Sequence, residues 1–386
     1  MTKHRVSMMG KHEELEMILS RHQRWLESEE RDGSRADLSG ASLDGANLVG
    51  KTLSGVDFSG ASLVGADLSG ARLVHAKFTG ADLAGVNLSK ADLLLADFTG
   101  ANLKGANLTD ATPNLDTALV RTRRGPRFKD SDLTGANLSG AYCYISDFSG
   151  AKLTDCLFNK SYLVRANLSH LDLQHNPFNM AVLSKADLSY ANLQHADFTH
   201  SVLDHANLSY TTLSQASLKG ANLKGANLDN AQVEGIQYDR KGIYRGSRVA
   251  TCYGSSRFRR FAQDQDFIEE FREAHPVYYG FWLALTDCGR SMTRVVSWSI
   301  GFAILFGCIF YSLGESAFDI ANQTTLPWSL FTMVYYSVVT FTTLGFGDIT
   351  PTTPLSAAVV MIEVVVGYLM LGILISILAD KVARRS

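Results

Sequence analysis

From Ala36 the chain repeats every five residues: Ala-Asp-Leu-Ser-Gly, Ala-Ser-Leu-Asp-Gly, Ala-Asn-Leu-Val-Gly and onward. Fifteen quintets reach Asp110 and 21 more run from Ser131 to Gly235. The third residue is Leu or Phe in 34 of these 36, and only Cys143 and Val233 depart. A period of five matches neither the alternation of a strand nor the 3.6-residue turn of a helix, which excludes an ordinary sheet or a helical repeat. The regular Leu and Phe must still face one interior. Alanine, usually two residues earlier, leaves room for close backbone approach, while the Asp/Asn and Ser/Thr/Gly positions face water or form turns. No quintet can bury its own Leu, so stability has to come from stacking.

The pattern breaks at 111–130, a segment of 20 residues that preserves the register and carries Pro113, Pro126 and the basic run Arg121, Arg123, Arg124, Arg127 and Lys129. It reads as a degenerate coil or an excursion from the wall, structural or a contact surface. Residues 8–31 place Leu15, Ile18, Leu19 and Leu26 at roughly helical spacing among charges, an amphipathic helix ended by Asp32-Gly33 that covers the open end of the array. After Gly235 come Tyr238, Tyr244 and Tyr253 among basic residues, then a helix over about 264–287 interrupted at Pro276. The chain thus divides into 1–35 (capping helix), 36–235 (repeats), 236–294 (cap and helical connector) and 295–386. A net charge of -2 argues against a nucleic-acid binder working through bulk positive charge. Five scattered cysteines form no CxxC pair, which favours a reducing compartment, and the charged N-terminus has no apolar stretch of signal-peptide type.

The quintets closely resemble the pentapeptide-repeat family. The resemblance implies a right-handed, four-sided β-helix with one quintet per side, filled by ladders of the central Leu/Phe and the preceding Ala. Ten coils would then span 36–235, about 45–50 Å at a layer spacing of about 4.8 Å. His75, His170, His175, His195, His200 and His205 all fall on the fifth quintet position. That place faces outward or lies near a corner, so they read as surface histidines or, alternatively, a metal-binding rail without a supporting carboxylate or cysteine cluster.

The C-terminal quarter changes character. Residues 295–314 contain no formal charge and would span about 30 Å as a helix, the thickness of a bilayer's hydrocarbon core. Residues 355–379 form a second run interrupted only by Glu363. Between them an apolar stretch from Pro327-Trp328 to Thr343 is too short for another span and fits a re-entrant helix over 328–342. Arg290 and Arg294 precede the first run and Lys381, Arg384 and Arg385 follow the second, whereas the segment between has Glu315, Asp319 and Asp348 but no Lys or Arg. By the positive-inside rule both termini are cytoplasmic; the expected location is the plasma membrane, crossed more than once.

The short helix runs into Thr342-Thr343-Leu344-Gly345-Phe346-Gly347-Asp348. A dehydrated cation needs oxygen ligands at short, repeated spacing, and successive carbonyls turn inward only where some residues adopt dihedrals that glycine allows cheaply. Over 295–383 the chain resembles the pore domain of two-transmembrane potassium channels. The resemblance implies a selectivity filter at Thr343, Leu344, Gly345, Phe346 and Gly347, with K+ held at the first four of these. The commonest family form has Val at Leu344 and Tyr at Phe346. Leu344 and Phe346 would point away and brace the filter on the pore helix. Tyr335 and Tyr336 match the family's aromatic cuff, with Tyr336 placed to hydrogen-bond Asp348, and Thr342 completes the filter support. Gly367 falls where the family has its gating glycine, with Gly372 a second flexible point. Glu363, costly in lipid, should face the cavity, a neighbouring chain or the rear of the filter, and either pair inside the assembly or tune cation entry by pH.

The expected protein is a homotetramer in a lipid bilayer. It conducts K+ passively, with no cofactor, no enzymatic chemistry and no nucleic-acid partner, and the repeats are free to take a cytoplasmic ligand or protein. A non-selective cation channel, or a membrane-anchored scaffold or receptor with a vestigial pore, are the rival readings.

Overall fold

The computed structural model describes residues 11–29, 31–111, 124–321 and 326–383. The chain forms two compact units, Met1–Glu269 and Glu270–Ser386.

In the first unit, helix α1 (Lys11–Glu27) is followed by a wall of parallel single-residue bridges. The bridges step by 20 residues, as Asp37 to Asp57 to Lys77 to Asp97, so four quintets make one coil. Each coil hydrogen-bonds the next through the residues flanking the bridge: Leu48 N–H donates to the Asp67 carbonyl at 2.7 Å and Asp67 N–H to the Ala46 carbonyl at 2.9 Å. The central Leu and Phe and the preceding Ala are buried almost without exception. On one side Phe58, Phe78, Phe98, Phe128 and Phe148 stack with ring centroids 4.8–5.3 Å apart. On another, Phe158, Phe178 and Phe198 stack at 4.9 Å. Layered chains at strand spacing put like residues in register, so the interior is a set of ladders.

The other quintet positions make the corners. Second-position carboxylates and amides accept the backbone N–H two residues on, as Asp97 does from Thr99 and Asn137 from Ser139, both at 3.0 Å. The fifth residue is left-handed whether it is Gly80 (φ 65°), His175 (φ 60°) or His205 (φ 56°).

Two features of the wall depart from expectation. Across 111–130 the bridges step by 30, as Asp97 to Arg127 and Asn107 to Asn137, which is ten residues more than a coil requires. Ala111 and Arg124–Gly125 hold places in the same side, Arg127 pairs with Asp97 at 3.6 Å, and Phe128 joins the aromatic ladder. The wall has therefore resumed before Ser131, and there are nine and a half coils up to Gly235 instead of ten. Pro113, Arg121 and Arg123 lie outside the described residues. At the other end the wall runs beyond Gly235 to Tyr253, through bridges that step by 21: Asn222–Ile243, Asn227–Arg248 and Gln232–Tyr253. The extra residue sits in a turn at 239–242, where Asp239 Oδ1 accepts N–H groups of Gly220, Lys241 and Gly242 at 2.9, 3.0 and 3.3 Å. Burial disfavours that carboxylate's charge, but the three donors outweigh it and hold its pKa below the usual value.

Helices close both ends. Leu15 and Leu19 of α1 pack into the first coil, and His22, fully buried, accepts the Ala36 N–H on Nδ1 at 3.3 Å. At the far end, α2 (Ser256–Ala274) buries Phe258 and Ala262 over Tyr244. Glu269 accepts from Tyr244 N–H at 3.2 Å and from Arg245 N–H at 2.9 Å, and Asp266 accepts from Gly246 N–H at 2.7 Å. Helix α2 starts eight residues earlier than the sequence suggests and ends before Pro276, where α3 (Pro276–Thr286) begins.

In the second unit, α4 (Met292–Leu313), α5 (Leu330–Phe341) and α6 (Pro354–Ala383) pack together. Helices α4 and α6 are long and apolar enough to cross a membrane, whereas α5, at 12 residues or about 18 Å, is not. Side-chain caps set the ends. Ser291 Oγ accepts Arg294 N–H at 3.2 Å, Ser329 Oγ accepts Thr332 N–H at 3.1 Å, and Thr353 and Ser356 cap each other reciprocally at 3.1 and 3.2 Å. Strands β1 (Phe318–Ile320) and β2 (Ile349–Pro351) pair antiparallel, tying the chain after α4 to the chain after Asp348.

Candidate ion-conduction site

Helix α5 ends on Thr342, whose N–H still reaches the Val338 carbonyl at 3.0 Å and whose Oγ1 donates to the same carbonyl at 2.7 Å. Beyond it every second residue is left-handed: Thr343 (φ 60°), Gly345 (φ 55°) and Gly347 (φ 73°). This alternation permits consecutive carbonyls to turn the same way, which an ordinary strand does not. Thr343 occupies such a conformation although its side chain is β-branched, a position where only a constrained backbone is found.

Leu344 and Phe346 are 62% and 64% exposed. They were expected to brace the stretch on the pore helix; within the single chain most of their surface is uncovered. The C-terminal end of α5, whose free carbonyls carry partial negative charge, opens on a cleft of about 210 Å³ lined by Thr342, Thr343, Gly367 and Leu371 among others.

Asp348 is held by Tyr335, whose hydroxyl donates to Oδ2 at 2.9 Å. Tyr336, expected in that role, instead turns inward and packs edge-on to Phe318 at 5.7 Å and against Phe310 at 5.4 Å. Adjacent residues on a helix point about 100° apart, so only one of the two can face the filter. Helix α6 runs unbroken through Gly367 and Gly372. A Cβ on Gly367 would lie 2.4 Å from the Phe341 carbonyl oxygen, so a close helix contact demands this glycine; at Gly372 a Cβ meets nothing within 4 Å.

Glu363 is fully buried within one chain, on the side of α6 that meets α5. Its Oε1 is within hydrogen-bond reach of Ser337 Oγ, which also lies 2.6 Å from the Ala303 carbonyl oxygen of α4. Sequence reasoning missed Ser337, and it missed Gly307, where a Cβ would come within 2.7 Å of Val334. The small residues Ala303 and Gly307, one turn apart on α4, were the available signal of close helix approach.

Five of the six repeat histidines pack against a neighbouring coil. His175 and His195 stack at 4.7 Å, and His170, Tyr190 and Tyr210 form a stack at 4.8 Å. His200 and His205 lie over Gly220 and Gly225 of the next coil. Among the described residues no group of three His, Cys, Asp or Glu side chains is placed to hold a metal ion.

The family of ion channel domains matches residues 298–384. Pentapeptide repeats match in eight copies over 36–73, 76–112, 146–175, 178–204 and 201–236. No curated protein matches the chain. Among solved structures it is similar to HetL, a pentapeptide repeat protein involved in heterocyst differentiation regulation in the cyanobacterium Nostoc, at 28% identity over 60% of this chain and 94% of that one (TM-score 0.24). It is similar to QnrB1, a plasmid-mediated fluoroquinolone resistance protein, at 21% identity over 53% and 90% (TM-score 0.30). A pentapeptide repeat protein of the Arabidopsis thaliana thylakoid lumen is 30% identical over 33% and 68% (TM-score 0.15). The chain therefore joins pentapeptide repeats, folded as a four-sided β-helix, to a C-terminal ion channel domain with two membrane-spanning helices.

Proposed function

We propose that the protein is a homotetrameric channel for passive potassium transport across the plasma membrane, with both termini and the repeat unit in the cytoplasm. The observation that carries this reading is the alternation of left-handed residues at Thr343, Gly345 and Gly347, directly after a helix too short to span and between two that can. One chain supplies one wall of oxygen ligands, and the exposed Leu344 and Phe346 are the side chains that neighbouring copies would cover. The carbonyls of Thr343, Leu344, Gly345 and Phe346 are the proposed K+ ligands, with Thr342, Tyr335 and Asp348 as their support. Tyr336 supports them from the packed core behind. Gly372, with open space around it, is the better place for α6 to bend; Gly367 is needed for packing. No covalent chemistry is required of any residue. The repeat unit, with its exposed stacked His and Tyr edges, is the part available to a cytoplasmic ligand or protein.

The test is reconstitution of the full chain in liposomes. Potassium flux, and a reversal potential in mixed K+ and Na+ close to that of potassium alone, are the expected results. A reversal potential that ignores which cation is present identifies a non-selective channel, and the absence of any flux identifies a scaffold with a vestigial pore. Cross-linking in native membranes should stop at four copies.

A further inference from the structure

Between Pro354 and Leu378, α6 carries one formally charged residue, Glu363. Its side chain is fully buried within a single chain, out of reach of bulk water and lipid headgroups. A carboxylate in such a place needs a cation or several donors. The surrounding helices offer no cation: α5 has no charged residue, and α4 has none after Arg294. The nearby titratable groups are Tyr336 and, beyond it, Asp348, neither of them basic.

The hydrogen bonds decide the protonation. Glu363 Oε1 meets Ser337 Oγ, while Oε2 meets no protein donor among the described residues. The same Ser337 oxygen lies 2.6 Å from the Ala303 carbonyl oxygen. A serine hydroxyl has one proton and a backbone carbonyl can only accept. The proton between Ser337 and Ala303 is therefore the serine's, and the proton between Ser337 and Glu363 belongs to the carboxyl.

We propose that Glu363 is a neutral carboxylic acid that donates to Ser337, which donates to the Ala303 carbonyl, so that a two-bond relay fastens α6 to α5 and α5 to α4. Glu363 is thus a positioning residue: it touches no ion and acts on the conducting stretch through the helix that carries it. Its influence on flux rests on the channel reading above, whereas its protonation does not.

Infrared spectroscopy of the full chain in lipid bilayers at neutral pH tests the protonation. The carbonyl stretch of a protonated carboxylic acid is expected in the wild type, missing in Glu363→Gln, and displaced to higher frequency in Ser337→Ala, where the acceptor is gone. Loss of carboxylate bands in Glu363→Gln, or a protonated band indifferent to Ser337→Ala, overturns the proposal. Flux in liposomes tests the positioning. An amide N–H can replace the acid as donor to Ser337, so Glu363→Gln should retain flux within about twofold of wild type, while Glu363→Ala should lose about tenfold. A Gln variant as impaired as the Ala variant overturns the relay. If even the wild type fails to conduct, the channel reading fails and the infrared result still stands.

Discussion

The hydroxyl of Tyr335 donates to Asp348 Oδ2 at 2.9 Å, joining α5 to the residue that leaves the glycine-rich stretch. Tyr335→Phe removes that donor and leaves the Asp348 carboxyl free to move at its end of the stretch. Poorer discrimination of K+ from Na+ is expected, read as a shift of reversal potential in mixed salts. Tyr336→Phe leaves Asp348 its donor and should keep the wild-type potential.

Gly345 holds a left-handed φ of 55° with open space around its missing Cβ. Substitution by alanine meets no clash within the chain, so its cost is the backbone conformation itself, about 1–2 kcal/mol. Relaxation of that strain rotates a carbonyl out of line. Gly345→Ala should insert into membranes at normal yield and carry little or no flux, as liposome assays beside membrane-fraction blots will show.

The aromatic ladder predicts a gradient. Phe98 stacks on Phe78 below and Phe128 above, whereas Phe58 has one stacked neighbour. Phe98→Ala should destabilise the repeat unit by about 3–5 kcal/mol, with Phe58→Ala toward the low end of that range. Denaturant midpoints followed by the β signal in circular dichroism measure the difference.

The two glycines of α6 should separate by substitution. Gly367→Ala drives a methyl into the Phe341 carbonyl and overpacks the joint between α5 and α6, at a cost of about 1–3 kcal/mol. Gly372→Ala adds a methyl to open space. Thermal stability of the purified full chain should fall for the first and hold for the second.

The N-terminal cap should be acid-sensitive. Burial, the largest cause, holds the His22 pKa below its usual value; a backbone bond with Ser54 opposes this and the Arg35 charge adds to it. The unfolded chain takes up the proton first, so the cap's stability is complete above about pH 6.5 and falls as pH drops below that toward the depressed folded value. Hydrogen exchange of α1 should quicken over that interval, and His22→Gln should flatten the dependence.

Much of this architecture is legible in the sequence, because a five-residue period with Leu or Phe at its centre admits few solutions, and two apolar runs of membrane length, one without charge and one interrupted only by Glu363, admit fewer. What escaped reading depended on rotation and on irregularity. The two tyrosines of α5 are chemically equivalent, and only the packing of Phe310 and Phe318 against Tyr336 decides which hydroxyl reaches Asp348. The last coil hid because Tyr238, Tyr244 and Val249 fill places that Leu or Phe held elsewhere, and because one inserted residue shifts the period. Glu363 announced that it needed a partner, but Ser337 lies 26 residues away on another helix and nothing local connects them.

The carboxylates of Glu269 and Asp266 occupy the N–H groups of Tyr244, Arg245 and Gly246, and α1 lies over the opposite opening. A stack of parallel backbone layers is by nature a template, since its final layer invites another copy to dock and carry on. Here both ends are sealed from within the same chain. The coil count is thereby fixed, two such columns cannot fuse tip to tip into a fibre, and anything that recognises the column must approach it from the flank.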